Sequence, residues 1–139
     1  MIVKPIHVGT VNGHRVRFFR SPLDDGRPDL PWHATEDLMT AAGVSRDMRR
    51  ALSRRSKGLT DEFQTVATDD GLVVIAPHPS AQGLLGAVVE LGRAPASVER
   101  EYQLAGADAL DVLTAGVPFE QMIDWTCVAT RRWGDLVEP

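Results

Sequence analysis

The sequence predicts an α+β fold: a small antiparallel sheet of hairpins, a helix-turn-helix-like pair and a C-terminal helical region. Three observations lead there. Asn12-Gly13 and Asp69-Asp70-Gly71 are turn signals flanked by β-branched and apolar residues, which reads as two β-hairpins. Gly43-Val44-Ser45 separates two short helical patterns by the kind of brief connection that helix-turn-helix units use. After Pro95 the apolar residues recur at helical rather than alternating spacing. A chain of 139 residues fits one domain, or one domain with an appendage. The division expected is an α+β domain over 1–92 and a helical tail over 93–139, which either packs on that domain or forms an interface.

The first hairpin is expected from Ile2–Val8 and Arg15–Arg20, with the intervening residues as the connection. In the second strand Val16 and Phe18 alternate with Arg15, Arg17 and Phe19, which predicts one apolar face and one largely cationic face. The stretch 21–31 is rich in Pro, Gly and Asp and reads as a loop; Pro31-Trp32-His33-Ala34 is briefly extended. Thr35 is placed as an N-cap, with Glu36 and Asp37 in the first turn where the helix dipole favours anions. Leu38, Met39, Ala41 and Ala42 supply a packing face before Gly43 stops the helix. Ser45 caps the next helix, expected to run to about Lys57 before Gly58. Phe63–Ala67 and Leu72–Ala76 form the second hairpin. Ser80 is placed as the cap of a helix over Ala81–Leu91, and 92–95 as a linker. Two helices close the chain, one over Val98–Ala115 and one that Pro118 opens at its first position and that ends near Trp133.

No apolar run approaches the roughly 20 residues of a membrane span. Met1 leads into Ile-Val-Lys-Pro without the basic start and apolar stretch of a signal peptide, and the single Cys127 has no partner within the chain for a disulfide. A soluble, cytoplasmic protein without a membrane partner is expected. The formal net charge of −4 argues against a nucleic-acid partner only until it is divided along the chain. Residues 1–57 carry eleven basic and six acidic side chains, a balance of +5; residues 58–139 carry four and thirteen, a balance of −9. That asymmetry suits one surface for a polyanion and another for solvent or a different partner.

The cations concentrate on one helix. At about 100° per residue, Arg49, Ser53, Arg46, Lys57, Arg50 and Arg54 fall within an arc of about 140° that holds no acidic side chain. Met48, Ala51 and Leu52 lie opposite, where a core stripe belongs, and Arg55 lies among them. Neighbouring cations on a helix repel by roughly 0.2–0.5 kcal/mol per i,i+4 pair, and a phosphate counter-surface is one reason to tolerate that. A solvated face neutralised by the acidic half of the chain is the other reading. If Glu36–Ala42 and Arg46–Lys57 act as a helix-turn-helix, the second helix enters the major groove and Arg46, Arg49 and Arg50 meet bases or phosphates. Arg54 and Lys57 extend that contact, and Arg15 and Arg17 flank it.

The order of features from Gly13 onward resembles the Bro-N domain of phage antirepressors and baculovirus repeated-ORF proteins. The matching residues are the strand His14-Arg15-Val16-Arg17-Phe18-Phe19, an acidic loop with glycine, then Pro31-Trp32-His33-Ala34-Thr35-Glu36-Asp37-Leu38 leading to Ala42-Gly43. Thr68-Asp69-Asp70-Gly71-Leu72-Val73-Val74-Ile75 resembles the family's later strand pair, so the likeness covers about residues 10–91. His33 stands where an aromatic is usual and Leu38 where a smaller aliphatic is commoner; the family's closing Trp-containing helix is not recognisable. What the resemblance implies is a DNA-binding module of prophage or plasmid origin, with transcription regulation as its role.

Other chemistry is thin. His7, His14, His33 and His78 show no metal-helix spacing and read as surface or half-buried residues. Asp24, Asp25, Asp69 and Asp70 are explained by turns, and Cys127 on a helical apolar face reads as a packed thiol. No nucleotide loop is present in the sequence, so neither catalysis nor a cofactor is expected. Trp32, Trp125 and Trp133 could stack bases. In the acidic tail, Val98, Tyr102, Ala105, Ala109, Val112 and Leu113 form a stripe that either completes the core or makes a homodimer or partner interface. The preferred expectation is a regulator binding duplex DNA. Its rival is a non-enzymatic protein-interaction module that works through the acidic C-terminal helices.

Overall fold

Asn12 and Gly13 take φ angles of +50° and +78°, the left-handed pair that a two-residue hairpin turn requires. From that turn β1 (His7–Val11) and β2 (His14–Phe19) run antiparallel, from Val11 opposite His14 to His7 opposite Phe18. The first strand therefore sits nearer the turn than the expected Ile2–Val8, because a two-residue turn leaves Gly9-Thr10-Val11 to continue the ladder. The computed structural model describes residues 1–23, 25–50 and 63–132. In it the chain continues through β3 (Trp32–Ala34), α1 (Thr35–Ala41), a helical turn at 46–50, β4 (Gln64–Thr68), β5 (Gly71–Ala76), α2 (His78–Glu90), α3 (Ser97–Leu113) and α4 (Phe119–Arg131). The fold is α+β, with one five-stranded antiparallel sheet in the order β1-β2-β3-β5-β4. The segment before β1 reaches the opposite edge, where the Val3 N–H donates to the Ala67 carbonyl at 2.7 Å.

The short β3 gives way to α1 inside the sheet, between the longer β2 and β5. The backbone groups left over there are taken by side chains of the helix. Asp37 accepts the Arg17 N–H at 3.0 Å on the β2 side, and the Thr35 hydroxyl donates to the Val74 carbonyl at 3.2 Å on the β5 side. Thr35 is thus the first helical residue and not the N-cap, which is Ala34 and makes no side-chain cap bond. This satisfies backbone groups within β2 and β5 without a further strand.

Side chains from the two faces of the sheet build two apolar clusters. Val11, Val16 and Phe18 pack with Leu38, Ala41 and Val44, with Ala81, Leu85 and Val88 of α2, and with Val98, Tyr102, Ala105 and Ala109 of α3. On the other side Phe19, Trp32, Ala34, Val73 and Ile75 pack with Val3, Leu23 and Val66. The expected cationic face of β2 is therefore largely interior: Phe19 is buried, Arg17 is half-buried, and Arg15 alone of the three is exposed. Four of the six predicted stripe residues of α3 enter the core, while Val112, 48% exposed, does not. Where α3 crosses β1, Gly9 has no side chain to hold the two apart.

Two starts differ from expectation. Helix α2 begins at His78, with Pro77 as its N-cap, and the Ser80 hydroxyl donates back to the Pro77 carbonyl at 2.9 Å. Pro79 fits there because the first turn of a helix does not use its N–H groups. Pro118 is the N-cap of α4, one position before the predicted one. On α4 only Ala129 is buried; Cys127, expected as a packed thiol, is exposed. Its C-terminal end is fastened by Arg132, whose side chain is 5% exposed and which pairs with Asp25, donates to the Arg27 carbonyl at 3.2 Å and lies 3.9 Å from Asp29. Asp29 in turn accepts the indole N–H of buried Trp32 at 2.7 Å, which removes Trp32 from any base-stacking surface. Asp24 and Trp133 lie outside the described residues. Among the described residues no helix is long and apolar enough to cross a membrane.

Candidate nucleic-acid interface

Helix α1 ends as its sequence dictates. Gly43 takes φ +71°, its N–H donates to the Thr40 carbonyl at 3.0 Å, and the Val44 N–H reaches the Met39 carbonyl at 3.0 Å. These two bonds make a Schellman ending, with Val44 as the buried apolar residue that accompanies it. One residue later the next helix opens. Ser45 accepts the Met48 N–H on its Oγ at 3.2 Å, and its own carbonyl receives the Arg49 N–H at 2.9 Å. The expected N-cap is therefore in place, and the connection between the helices has one short, hydrogen-bonded path.

Arg49 locks that turn. Its Nη1 donates to Glu36 at 2.6 Å, its Nη2 to the Thr40 hydroxyl at 2.8 Å and its Nε to the Val44 carbonyl at 3.2 Å. One guanidinium thus ties the first turn of the second helix to two positions of α1 and to the connection itself. Arg46 and Arg50 are exposed on the same turn. Arg54 and Lys57, together with Ser53, lie outside the described residues.

The hairpin end lies alongside. The Asn12 side-chain amide donates to the Ala41 carbonyl at 2.9 Å, so exposed Arg15 sits three residues along the chain from a contact with the C-terminal end of α1. Arg17 is placed differently from a phosphate contact. Its guanidinium makes a two-pronged pair with Asp37, at 2.8 and 3.0 Å, and lies 4.0 Å from Asp70. Hydrogen bonding to Asp37 holds its pKa above the ordinary arginine value despite partial burial. Glu101 of the acidic half also reaches this region, accepting the Asn12 N–H at 3.3 Å. Of the predicted cations, then, Arg15 and Arg46 are exposed, while Arg17 and Arg49 serve contacts within the chain.

No family model, curated protein or solved structure matches the chain. The site is therefore argued on its own geometry. Among the described residues no group of three His, Cys, Asp or Glu side chains is placed to hold a metal ion.

One polar cluster is absent from the sequence reading. His33, expected at the surface or half-buried, is buried at 2% exposure on β3, opposite Phe18 and Ala76. The Tyr102 hydroxyl of α3 lies 3.5 Å from its Nδ1 and 3.4 Å from the Nδ1 of His78 on α2. The His78 ring stacks on Tyr102 at 5.7 Å and 21°, and the His33 ring meets it edge-on at 84°. Burial pushes His33 down to about 3, lowers His78 and raises Tyr102 above the ordinary phenol value. The three are neutral near pH 7. Positions 33, 78 and 102 belong to three elements, and no local pattern links them. The only trace in the sequence is that His33 lies between two residues suited to a buried strand.

Proposed function

We propose that the chain is a DNA-binding regulatory protein of the phage-antirepressor kind, holding duplex DNA at the segment that opens at Ser45. The observation carrying this reading is the first turn of that segment, capped by Ser45 and fastened through Arg49 while Arg46 is exposed on it. A helix start held in one orientation, with an arginine facing solvent, is what backbone positioning and groove contacts require. The resemblance of residues 10–91 to Bro-N domains supports the same reading. Arg15 adds a flanking phosphate contact, and Arg54 and Lys57 continue the cationic face of the sequence. The protein acts in the cytoplasm, without catalysis or cofactor.

Anisotropy of labelled mixed-sequence duplexes across a salt series tests this. Binding should weaken linearly in log salt, and Arg46→Ala with Arg50→Ala should reduce the slope by roughly 2. Absence of salt-dependent duplex binding at low salt ends the proposal. A second reading draws on α4, where Phe119 and Ile123 share one face and are 70% and 47% exposed beside the acidic Glu120 and Asp124. That face suits a homodimer that reaches two half-sites, or a protein partner in place of DNA. Sedimentation of the free chain separates dimer from monomer.

A further inference from the structure

A cleft of about 160 Å³ opens between β2, the end of the loop before β3, and α3. Phe18, Leu30 and Pro31 line one part of it and Gly106 and Leu110 another, with His78 and Tyr102 also facing it. A cavity of about 150 Å³ with apolar walls is large enough for one benzene ring. Gly106, in the middle of α3, borders the cleft without a side chain. A Cβ there would meet only Phe18 Cε1, at 4.0 Å, an ordinary contact. Helix propensity disfavours glycine against alanine at such a position by about 1 kcal/mol, and close packing disfavours an unfilled apolar recess. Both considerations favour a larger side chain where the chain has none.

The His–Tyr–His cluster supplies the polar part. Tyr102 has one hydroxyl proton and two imidazole nitrogens within 3.5 Å, so it can donate to only one of them. If it donates to His33, His78 carries its proton on Nδ1 and leaves Nε2 as an acceptor. If it donates to His78, Nε2 carries the proton and is a donor. A hydroxyl group meets either state, because it both donates and accepts. We propose that this cleft binds a single flat apolar ring bearing a hydroxyl, that is a phenol, with its ring against Phe18, Pro31 and Leu110 and its hydroxyl on the His78 imidazole. Such a site is independent of the DNA reading, since it is measured on the protein alone.

Titration of the ¹⁵N-labelled full chain with phenol, followed by amide and imidazole resonances, tests this. Saturable shifts are expected at Gly106, Ala107 and Leu110 and on the His78 ring, with toluene binding about tenfold more weakly for want of the hydrogen bond. Gly106→Leu should abolish the shifts while keeping the thermal midpoint at or above that of the parent. Gly106→Ala, which adds a methyl the structure has room for, should weaken them. His78→Phe keeps a ring on Tyr102 and should erase the preference for phenol over toluene. A drift that does not saturate, shifts scattered away from the cleft, equal affinity for toluene, or undiminished binding by Gly106→Leu or Gly106→Ala overturns the proposal.

Discussion

Gly9→Ala should destabilise the protein by about 2 kcal/mol, because α3 rests directly on β1 at this residue. A Cβ on Gly9 would lie 2.6 Å from the Ala105 Cβ, far inside the 3.4–4 Å of ordinary contact. Neither methyl can rotate away, since both are fixed to backbone, so strand and helix must part by roughly 1 Å. Overpacking of this kind costs about 1–3 kcal/mol, against a gain of about 0.4–1 kcal/mol from a less flexible unfolded chain. The clash wins. Ala105→Gly alone should cost about 2 kcal/mol, from helix propensity and one lost buried methyl. Combined, the two changes should restore the clearance, so that the double variant lies near either single one and not at their sum. Urea unfolding of the four proteins gives the coupling, expected at about 2 kcal/mol. Costs that add to within about 0.5 kcal/mol would refute the packing of α3 on β1.

Other outcomes follow from the same structure. His33, held down to about 3 by burial from an ordinary 6.5, keeps the folded chain from binding a proton that the unfolded chain accepts. Its contribution is complete above pH 6.5 and is lost as pH falls toward 3, at up to about 1.4 kcal/mol per unit, with His78 adding in the same direction. Denaturation between pH 6.5 and 4.5 should show that slope, and His33→Gln should flatten it. Asp37→Ala removes the acceptor for the Arg17 backbone and guanidinium at once and should cost about 2–3 kcal/mol by urea titration. Ser45→Ala should cost about 1 kcal/mol in stability through the lost cap, and should weaken duplex binding without changing its salt slope, since no cation is removed.

Local signals placed the turns, most helices and the fold class. Asn12-Gly13, Gly43 and Gly71 take the positive φ angles their positions require, and the apolar spacing of Val98, Tyr102, Ala105 and Ala109 marks the face of α3 that is buried. Boundaries moved where the expected cap hydroxyl bonds a carbonyl instead of capping. The Thr35 hydroxyl donates to the Val74 carbonyl and Ala34 takes the N-cap position, while Ser80 follows a helix start on Pro77. The candidate site divides in the same way. Ser45 as a cap was legible, since capping is a contact within three residues. The engagement of Arg17 and Arg49 was not, because Asp37 and Glu36 reach them only after strand and helices are packed.

By itself the sequence determined the period of each element, the residues able to turn, and the separation of a basic first part from an acidic remainder. Those properties depend on the backbone and on near neighbours. The tertiary structure alone decided which charges face water and which are neutralised. It also brought His33, His78 and Tyr102 together beside an open apolar cleft. Charge and burial depend on distances between segments that lie far apart in the chain, and only packing sets those distances.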